Sequence, residues 1–227
     1  TMPGHLFITR GDLLSLSCDA ILVPSGLNHG KRWHVAPHWR DLELPLDEGR
    51  FLQPAPRHSR RVTKVRDREG ANPAVWLAHT GESGRDPSWH AQVIPQFVAA
   101  AGRGRTSAPR PLADDRPLLA VPLVGTQWSG QAHNKGAMVR EVVIAALETV
   151  RTTQADVVLV LNHDGDHAAA QQARSRYLDA WPPFVEERRR DIARLAHEAL
   201  AGHLVLFVGA GIGIGAGLPS WSGLLDQ

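Results

Sequence analysis

Short apolar runs alternate with amphipathic stretches along most of this 227-residue chain, and this alternation constrains its fold more than any other feature. The runs at 20–23 and 157–161 are continuously apolar, as expected for strands covered on both faces. Between Ala137 and Arg151, apolar residues recur at three- and four-residue spacing, which predicts a helix with one buried stripe. Strand–helix–strand alternation predicts a mostly parallel sheet with helices packed on its faces. We therefore expect a three-layer α/β/α domain over residues 1–167.

The same patterns predict the remaining elements. The run at 20–23 is expected to end at the turn signal Pro-Ser-Gly that follows it. Pro95 must either open or kink the helix predicted over 89–101. The stretches 31–60 and 102–116 are rich in loop-forming residues and are expected to be irregular. Further strands are predicted at Leu6–Ile8, Arg61–Val65, Val75–Ala78 and Leu118–Val124, and further helices at 168–181 and 184–201.

Composition excludes several classes of protein. The single cysteine, Cys18, rules out an internal disulfide and any cysteine-rich zinc site, which favours a reducing compartment. The 25 Lys and Arg residues against 23 Asp and Glu residues give a net charge of +2, without the clustered excess typical of nucleic-acid binders. The N-terminus lacks the basic-then-apolar pattern of a signal peptide. We therefore expect a cytoplasmic protein that binds neither nucleic acid nor membranes.

The sharpest local motif lies near the end of the sequence, where the apolar run 204–208 leads directly into Gly-Ala-Gly at 209–211. A strand followed by a glycine loop brings backbone N–H groups close to a phosphate without obstruction by Cβ atoms. Together with Ala-Gly-Leu-Pro-Ser-Trp at 216–221, this motif resembles the NAD-binding opening of the sirtuin family, especially its bacterial members. The alternative interpretation of the uncharged stretch 204–225 is a membrane span.

The sirtuin resemblance implies a Rossmann-type fold whose glycine loop binds the phosphates of NAD. The family usually has serine where this chain has Gly213, and its later catalytic motifs have no counterpart here. We therefore expect the chain to consist of a first domain at 1–167, linker helices at 168–202 and the truncated start of a sirtuin-like domain at 203–227. The residues that the resemblance assigns to NAD binding are Gly209, Ala210, Gly211, Gly217 and Pro219.

Two earlier segments resemble a second family. Arg-Gly-Asp-Leu-Leu at 10–14, followed by Cys-Asp-Ala-Ile-Leu-Val-Pro at 18–24, is similar to the opening of a macrodomain. Val-Pro-Leu-Val-Gly-Thr-Gln-Trp-Ser-Gly at 121–130 resembles the macrodomain strand and glycine loop that hold a diphosphate. Macrodomains bind ADP-ribose and related nucleotides, and some of them hydrolyse ADP-ribosyl links. The resemblance implies a nucleotide-binding first domain.

This second resemblance also implies a set of ligand-binding residues. Asp12 and Asp19 are the candidates for the adenine end, where the family uses an aspartate to accept a hydrogen bond. Pro-Ser-Gly-Leu at 24–27 stands where the family has Asn-Ala-Ala-Asn, so Asn28 is the remaining ribose-side candidate. Alternatively, both aspartates only cap local structure. The full set is Asp12, Asp19, Ala20, Ser25, Asn28, Gly125, Thr126, Gln127, Trp128, Ser129 and Gly130.

Histidine-containing segments suggest other kinds of site. His-Asp-Gly-Asp-His at 163–167 has the composition of a metal site, but directly after a strand it also forms a good turn and helix N-cap, which we favour. We therefore expect no metal cofactor. His133 follows the glycine loop and is a candidate phosphate contact. Candidates for the mouth of a ligand site, or alternatively for a surface loop, are His29, Trp33, His34, His38 and Trp39.

The two resemblances support one interpretation of function. Sirtuin-type cleavage of NAD yields ADP-ribose or its derivatives, which a macrodomain-like pocket could bind. We expect ADP-ribose or NAD as the ligand, and a regulatory role in an NAD-consuming protein, either an antiphage NAD hydrolase or an NAD-dependent deacylase. The chain alone is not expected to be catalytic. Alternatives are an ADP-ribosyl hydrolase and a scaffold with a vestigial pocket, and the helix at 184–201 is a candidate surface for homo-oligomers.

Overall fold

A mixed, mostly parallel sheet forms the centre of the first part of the chain. The structure is a computed structural model that describes residues 3–27, 33–36, 39, 42, 61–65, 73–81, 84–102, 116–126, 134–177 and 186–205. Within these residues the sheet has seven strands. They are β1 (Leu6–Arg10), β2 (Ala20–Leu27), β3 (Trp33–Val35), β4 (Val62–Lys64), β5 (Ala74–His79), β6 (Leu118–Pro122) and β7 (Asp156–Leu161).

The strand order is β1-β7-β6-β2-β5-β4, with β3 paired to β2 outside this path. Strands β1, β7, β6, β2 and β5 run parallel, whereas β4 is antiparallel to β5 and β3 is antiparallel to the end of β2. All six residues of β7 are buried, because other elements cover both faces of this central strand. The predicted α/β class with a mostly parallel sheet is confirmed.

Four α-helices of the described region share one layer on the sheet. They are α1 (Pro87–Ala91), α2 (Val93–Ala101), α3 (Lys135–Thr152) and α4 (Asp164–Ser175). Helix α3 packs against the other three, and both α3 and α4 contact β1 and β7. The apolar stripe predicted on α3 is confirmed, since its members are all buried: Val139, Val142, Val143, Ala146, Leu147 and Val150.

The opposite face of the sheet is covered by a short 3₁₀ turn, Leu13–Ser15, and by residues from the segment predicted to be irregular. Leu13, Ala36 and Trp39 pack in one buried cluster with strand residues such as Ile21 and Val160. The described residues of the segment 31–60 therefore include a strand and buried side chains, which the composition of that segment does not predict. Strand β3 forms there because the end of β2 extends beyond β6 and offers backbone groups that need partners.

Strand β2 differs most from its predicted bounds, because it continues through Pro24 to Leu27. The Thr80 N–H donates to the Ser25 carbonyl at 2.9 Å, so the backbone polar groups of Ser25 face β5. Those of the preceding residue, Pro24, face the opposite side of β2. On that side, the ladder between β2 and β6 includes only Ala20 and Ile21. The missing N–H of Pro24 therefore breaks no pairing with β6, and the turn signal is overridden by tertiary pairing.

Two helices also begin where proline or a turn motif places them. The predicted helix over 89–101 is split at Gln92, and Pro95 lies in the first turn of α2. Its absent N–H would have bonded to the carbonyl of Ala91, so Pro95 opens the second helix. Helix α4 begins at Asp164, earlier than predicted, because the Asp-Gly-Asp motif forms its first turn, and it ends at Ser175.

The chain divides into two units between Arg176 and Tyr177. Helix α4 belongs to the first unit, where Ala170 and Ala173 are buried and Arg174 donates to the Leu6 carbonyl at 3.4 Å. The predicted linker at 168–202 therefore begins with a helix that packs on the first unit.

In the second unit the structure describes α5 (Glu186–Leu200), which confirms the helix predicted over 184–201. Its apolar residues Ile192 and Leu195 are about half exposed. Residues 206–227, which include the sirtuin-like glycine loop, lie outside the described residues. The predicted domain at 203–227 therefore stays a prediction.

Candidate ligand-binding site

The carboxyl ends of the parallel strands surround a cavity of about 720 Å³. Ligands of open α/β sheets bind at this edge, where the strand order changes direction. The change lies between β2 and β6, because the chain passes from β2 to β4 and β5 on one side and then crosses to β6 and β7 on the other. The described lining residues are Asp12, Leu13, Leu14, Pro24, Trp39, Thr80, Pro122, Leu123, Gly125, Thr126, Lys135, Val160, Leu161, Asn162, His163 and Asp166.

The loop after β6 reaches the cavity over a closely packed floor. Gly125 has a φ of +78°, a left-handed conformation that favours glycine. A Cβ atom on Gly125 would lie 2.8 Å from His90 Cγ and 2.8 Å from Met138 Cε, so no side chain fits there. Gly125 and Thr126 line the cavity. The loop therefore presents bare backbone at the place where the macrodomain resemblance expects phosphates.

His90 is the buried residue on which this loop rests. It lies in α1 and has no exposed surface. Burial lowers the pKa of His90 below its ordinary value of 6.5, and the positive charge of Arg61 lowers it further. The ring is therefore neutral at neutral pH. No sequence pattern singles out His90, because a histidine inside a predicted helix carries no recognisable signal of burial.

Helix α3 begins at the edge of the cavity. Its N-cap residue, Asn134, makes no side-chain hydrogen bond to the helix, and its first residue, Lys135, lines the cavity. The N-terminus of a helix carries partial positive charge and offers N–H donors, so it favours an anion. Lys135 Nζ lies 2.6 Å from Oδ2 of Asp166 in the first turn of α4. This corner thus combines N–H donors, a cation and a carboxylate.

Asp12 is the predicted adenine-side aspartate that the structure brings to the cavity. Its Oδ1 accepts a hydrogen bond from the Leu14 N–H at 3.0 Å, which caps the 3₁₀ turn. The turn holds the exposed carboxylate beside the apolar side chains of Leu13 and Leu14. Capping and a ligand-facing position were alternative interpretations of this residue, and the geometry is compatible with both at once.

Asp19 and Ala20 lie at the opposite edge of the sheet. Asp19 Oδ2 accepts a hydrogen bond from the Leu118 N–H at 2.8 Å, and Ala20 pairs with Leu119. These residues are at the amino ends of parallel strands, whereas the cavity is at the carboxyl ends. The structure therefore does not bring Asp19 together with Asp12, and Asp19 has the position of a strand cap.

Ser25 is also directed away from the cavity. It is buried in β2, where its Oγ donates to the Ala78 carbonyl at 2.8 Å. This bond joins β2 to β5, so the described role of Ser25 is structural. Predicted site residues that lie outside the described part of the chain are Asn28, His29, His38, Gln127, Trp128, Ser129, Gly130, His133, Gly209, Ala210, Gly211, Gly217 and Pro219.

Several cavity residues carried no sequence signal of a site. Thr80 and Asn162 each directly follow a strand, and only the strand order shows that these strands end together. Asp166 lies in the segment 163–167, which the sequence suggested only as a metal site or a helix N-cap. Lys135 was detectable in principle, since it opens the helix after the glycine loop. Trp39 was among the candidates for a ligand mouth, and it does line the cavity.

The segment His-Asp-Gly-Asp-His at 163–167 forms the start of α4 rather than a separate loop. Within the residues that the structure describes, no group of three or more His, Cys, Asp or Glu side chains is arranged to hold a metal ion. Over the same residues, no helix combines the length and the apolar character needed to cross a membrane.

Comparison with known proteins gives matches among solved structures. No model of a known protein family matches the chain, and no curated protein matches it. A Trypanosoma brucei macrodomain in complex with ADP matches at 14% identity and a TM-score of 0.49, over 75% of this chain and 69% of that one. An Oceanobacillus iheyensis macrodomain with ADP matches at 13% identity and a TM-score of 0.42, over 77% and 92% of the two chains.

The X-domain of IBV matches at 13% identity and a TM-score of 0.45, over 75% of this chain and 98% of that one. The similar solved structures thus include macrodomains crystallised with ADP.

Proposed function

We propose that the first unit binds ADP-ribose or a related NAD-derived nucleotide in the cavity at the carboxyl ends of the strands. One observation carries this proposal. The two macrodomain-like segments, 10–14 and 121–130, are far apart in the sequence, yet Asp12 of the first and Gly125 of the second line the same cavity. Local patterns alone would not bring them together, so the motifs and the fold support the same site.

A diphosphate is the group that suits the corner between Gly125, Thr126 and the start of α3. The backbone of the glycine loop can approach phosphate oxygens because no Cβ is in the way. The dipole of α3 and the charge of Lys135 add positive potential at the same point. The corner is therefore suited to bind an anion through backbone N–H groups and one ammonium group.

The remaining walls suit a nucleoside. Leu13, Leu14 and Trp39 offer apolar surface, and the Asp12 carboxylate can accept a hydrogen bond from an exocyclic amino group. The volume of about 720 Å³ falls within the range of small-molecule sites, roughly 300–1,000 Å³. An adenosine moiety next to Asp12 and a diphosphate next to Gly125 would occupy both ends of the cavity.

We propose in addition that this binding regulates an NAD-consuming protein. The support is the sirtuin-like motif at 209–221, since cleavage of NAD yields ADP-ribose or its derivatives. On this proposal the chain acts as a cytoplasmic sensor rather than as a hydrolase, because Pro-Ser-Gly-Leu at 24–27 replaces the asparagines of the macrodomain pattern. An antiphage NAD hydrolase or an NAD-dependent deacylase would be the regulated activity.

Calorimetric titration of the full chain with ADP-ribose tests the proposed ligand. Asp12→Ala removes the cavity carboxylate on the 3₁₀ turn together with the cap of that turn. Asp86→Ala is the matched control, because Asp86 caps α1 by accepting from the Trp89 N–H at 2.9 Å and is not part of the cavity lining. We expect ADP-ribose to bind Asp12→Ala about tenfold more weakly, because one hydrogen bond to a charged group is lost. Binding to the Asp86→Ala control should be unchanged.

Two outcomes would overturn the proposal. The first is the absence of binding to ADP-ribose, ADP and NAD by the wild-type chain, which would support the scaffold alternative. The second is equal affinity in the wild type, Asp12→Ala and Asp86→Ala, which would place the ligand outside the cavity.

A further inference from the structure

The cavity contains an ion pair that the sequence patterns do not indicate. Lys135 Nζ and Asp166 Oδ2 are 2.6 Å apart, and both residues line the cavity. Lys135 is the first residue of α3 and Asp166 is the third residue of α4, so the pair joins the first turns of two helices. The Asp166 side chain is 14% exposed and the Lys135 side chain is 38% exposed.

The two charges differ in how they interact with their own helices. A carboxylate in the first turn of α4 is stabilised by the positive end of that helix, whereas an ammonium group at the first residue of α3 is destabilised by the same effect. Asn134 provides no side-chain cap to offset the positive end of α3. A negative group near Lys135 and the start of α3 is therefore favourable, and Asp166 provides one.

We propose that Asp166 is an internal counter-ion, which the anionic group of the ligand displaces from Lys135. This inference rests on the proposed nucleotide site and adds the residues that determine its charge selectivity. A phosphate at the glycine loop would lie beside the start of α3 and compete with the carboxylate for the same ammonium group. A neutral nucleoside has no group that can replace Asp166, so Lys135 would stay paired with Asp166.

The exchange is physically reasonable because the pair is partly exposed. The Lys135 side chain is 38% exposed, so solvent weakens its attraction to Asp166 and a ligand phosphate can compete for the ammonium group. A phosphate also carries more charge than a carboxylate and can accept hydrogen bonds at several oxygens at the same time. Asp166 would thus select for ligands whose negative charge competes with its own carboxylate for Lys135.

Four variants of the full chain test the exchange by titration with ADP-ribose, inorganic pyrophosphate and adenosine. They are Asp166→Asn, Lys135→Met, the double variant, and Asp164→Asn. The last is a matched control, since Asp164 lies in the same first turn, pairs with Arg10 and is not part of the cavity lining. Thermal unfolding of each variant verifies that it is folded.

We expect Asp166→Asn to tighten ADP-ribose and pyrophosphate about fivefold, because Lys135 no longer needs to leave a carboxylate. Lys135→Met should weaken both ligands about tenfold, and Asp166→Asn should have little further effect in the Lys135→Met background. Adenosine affinity should be the same in all chains, and Asp164→Asn should resemble the wild type.

Unchanged or weaker pyrophosphate binding in Asp166→Asn overturns the inference, and so does the absence of pyrophosphate binding in both that variant and the wild type. A gain that persists fully in the Lys135→Met background also overturns it, because Asp166 would then repel the anion directly. The wild type could also fail to bind ADP-ribose while pyrophosphate shows the expected changes among the variants. That result would support Asp166 as a counter-ion and reject ADP-ribose as the ligand.

Discussion

Gly125 lies directly on the buried ring of His90: a Cβ atom at Gly125 would be 2.8 Å from His90 Cγ. The contact joins the loop after β6 to helix α1, two elements that adjoin only in the folded chain. It explains why the loop at the cavity has backbone but no side chain at this position. The same contact makes the loop sensitive to any added atom and to the charge of the ring.

Gly125→Ala should destabilise the protein by about 2 kcal/mol, because the left-handed φ and the close contacts both oppose a methyl group. Urea unfolding measures this change. Gly136→Ala is the matched control, since Gly136 lies exposed in the first turn of α3 and its Cβ would meet no atom within 4 Å. That variant should be about 0.5–1 kcal/mol more stable than the wild type. Equal effects of the two substitutions would contradict the close packing at Gly125.

Stability should fall as the pH is lowered below 6.5, in part through His90. Its folded-state pKa is lowered from 6.5, mainly by burial, so the unfolded chain binds the proton more tightly. The contribution of His90 is therefore complete above pH 6.5 and is lost as the pH falls toward the folded-state pKa. His90→Leu should reduce the difference in unfolding free energy between about pH 7.5 and about pH 5.0. An unchanged difference would show that the ring does not titrate on unfolding.

Arg61→Lys should destabilise the protein by about 1–2 kcal/mol, because lysine cannot reproduce a stacked guanidinium. Arg61 is buried, its guanidinium carbon lies 3.8 Å from the Trp89 ring centroid, and it donates to the Trp89 carbonyl at 2.6 Å. Arg85 is the matched control: it is exposed and lies 5.4 Å from the same ring centroid. Arg85→Lys should change the unfolding free energy by less than about 0.5 kcal/mol. The reverse order of the two effects would contradict the stacking at Arg61.

Asp19→Ala should lower stability by about 1–2 kcal/mol and leave ADP-ribose affinity unchanged. Its Oδ2 accepts the Leu118 N–H at 2.8 Å, so the variant loses a strand cap at the edge of the sheet opposite the cavity. Urea unfolding gives the first quantity, and calorimetry of the folded variant gives the second. A loss of affinity without a loss of stability would return Asp19 to the ligand site.

Local sequence patterns determined most of the helices and strands of this fold. The β-branched run at 157–161 became the fully buried strand β7, and the stripe from Val139 to Val150 became the buried face of α3. These patterns suffice because the period of apolar residues reflects which face of an element leaves water. Gly125 was indicated by the macrodomain resemblance, and the structure gives it a left-handed φ that other residues avoid.

Only the tertiary structure decided which of these elements form the site. Asp12 and Asp19 have the same side chain and are close in sequence, yet Asp12 lies at the carboxyl ends of the strands and Asp19 at the amino ends. Lys135 meets Asp166 because α3 and α4 begin at the same edge of the sheet. Strand order and direction are set by pairing between distant segments, which no local pattern records. The sequence determines which chemical groups are present, whereas the fold determines which of them lie close together.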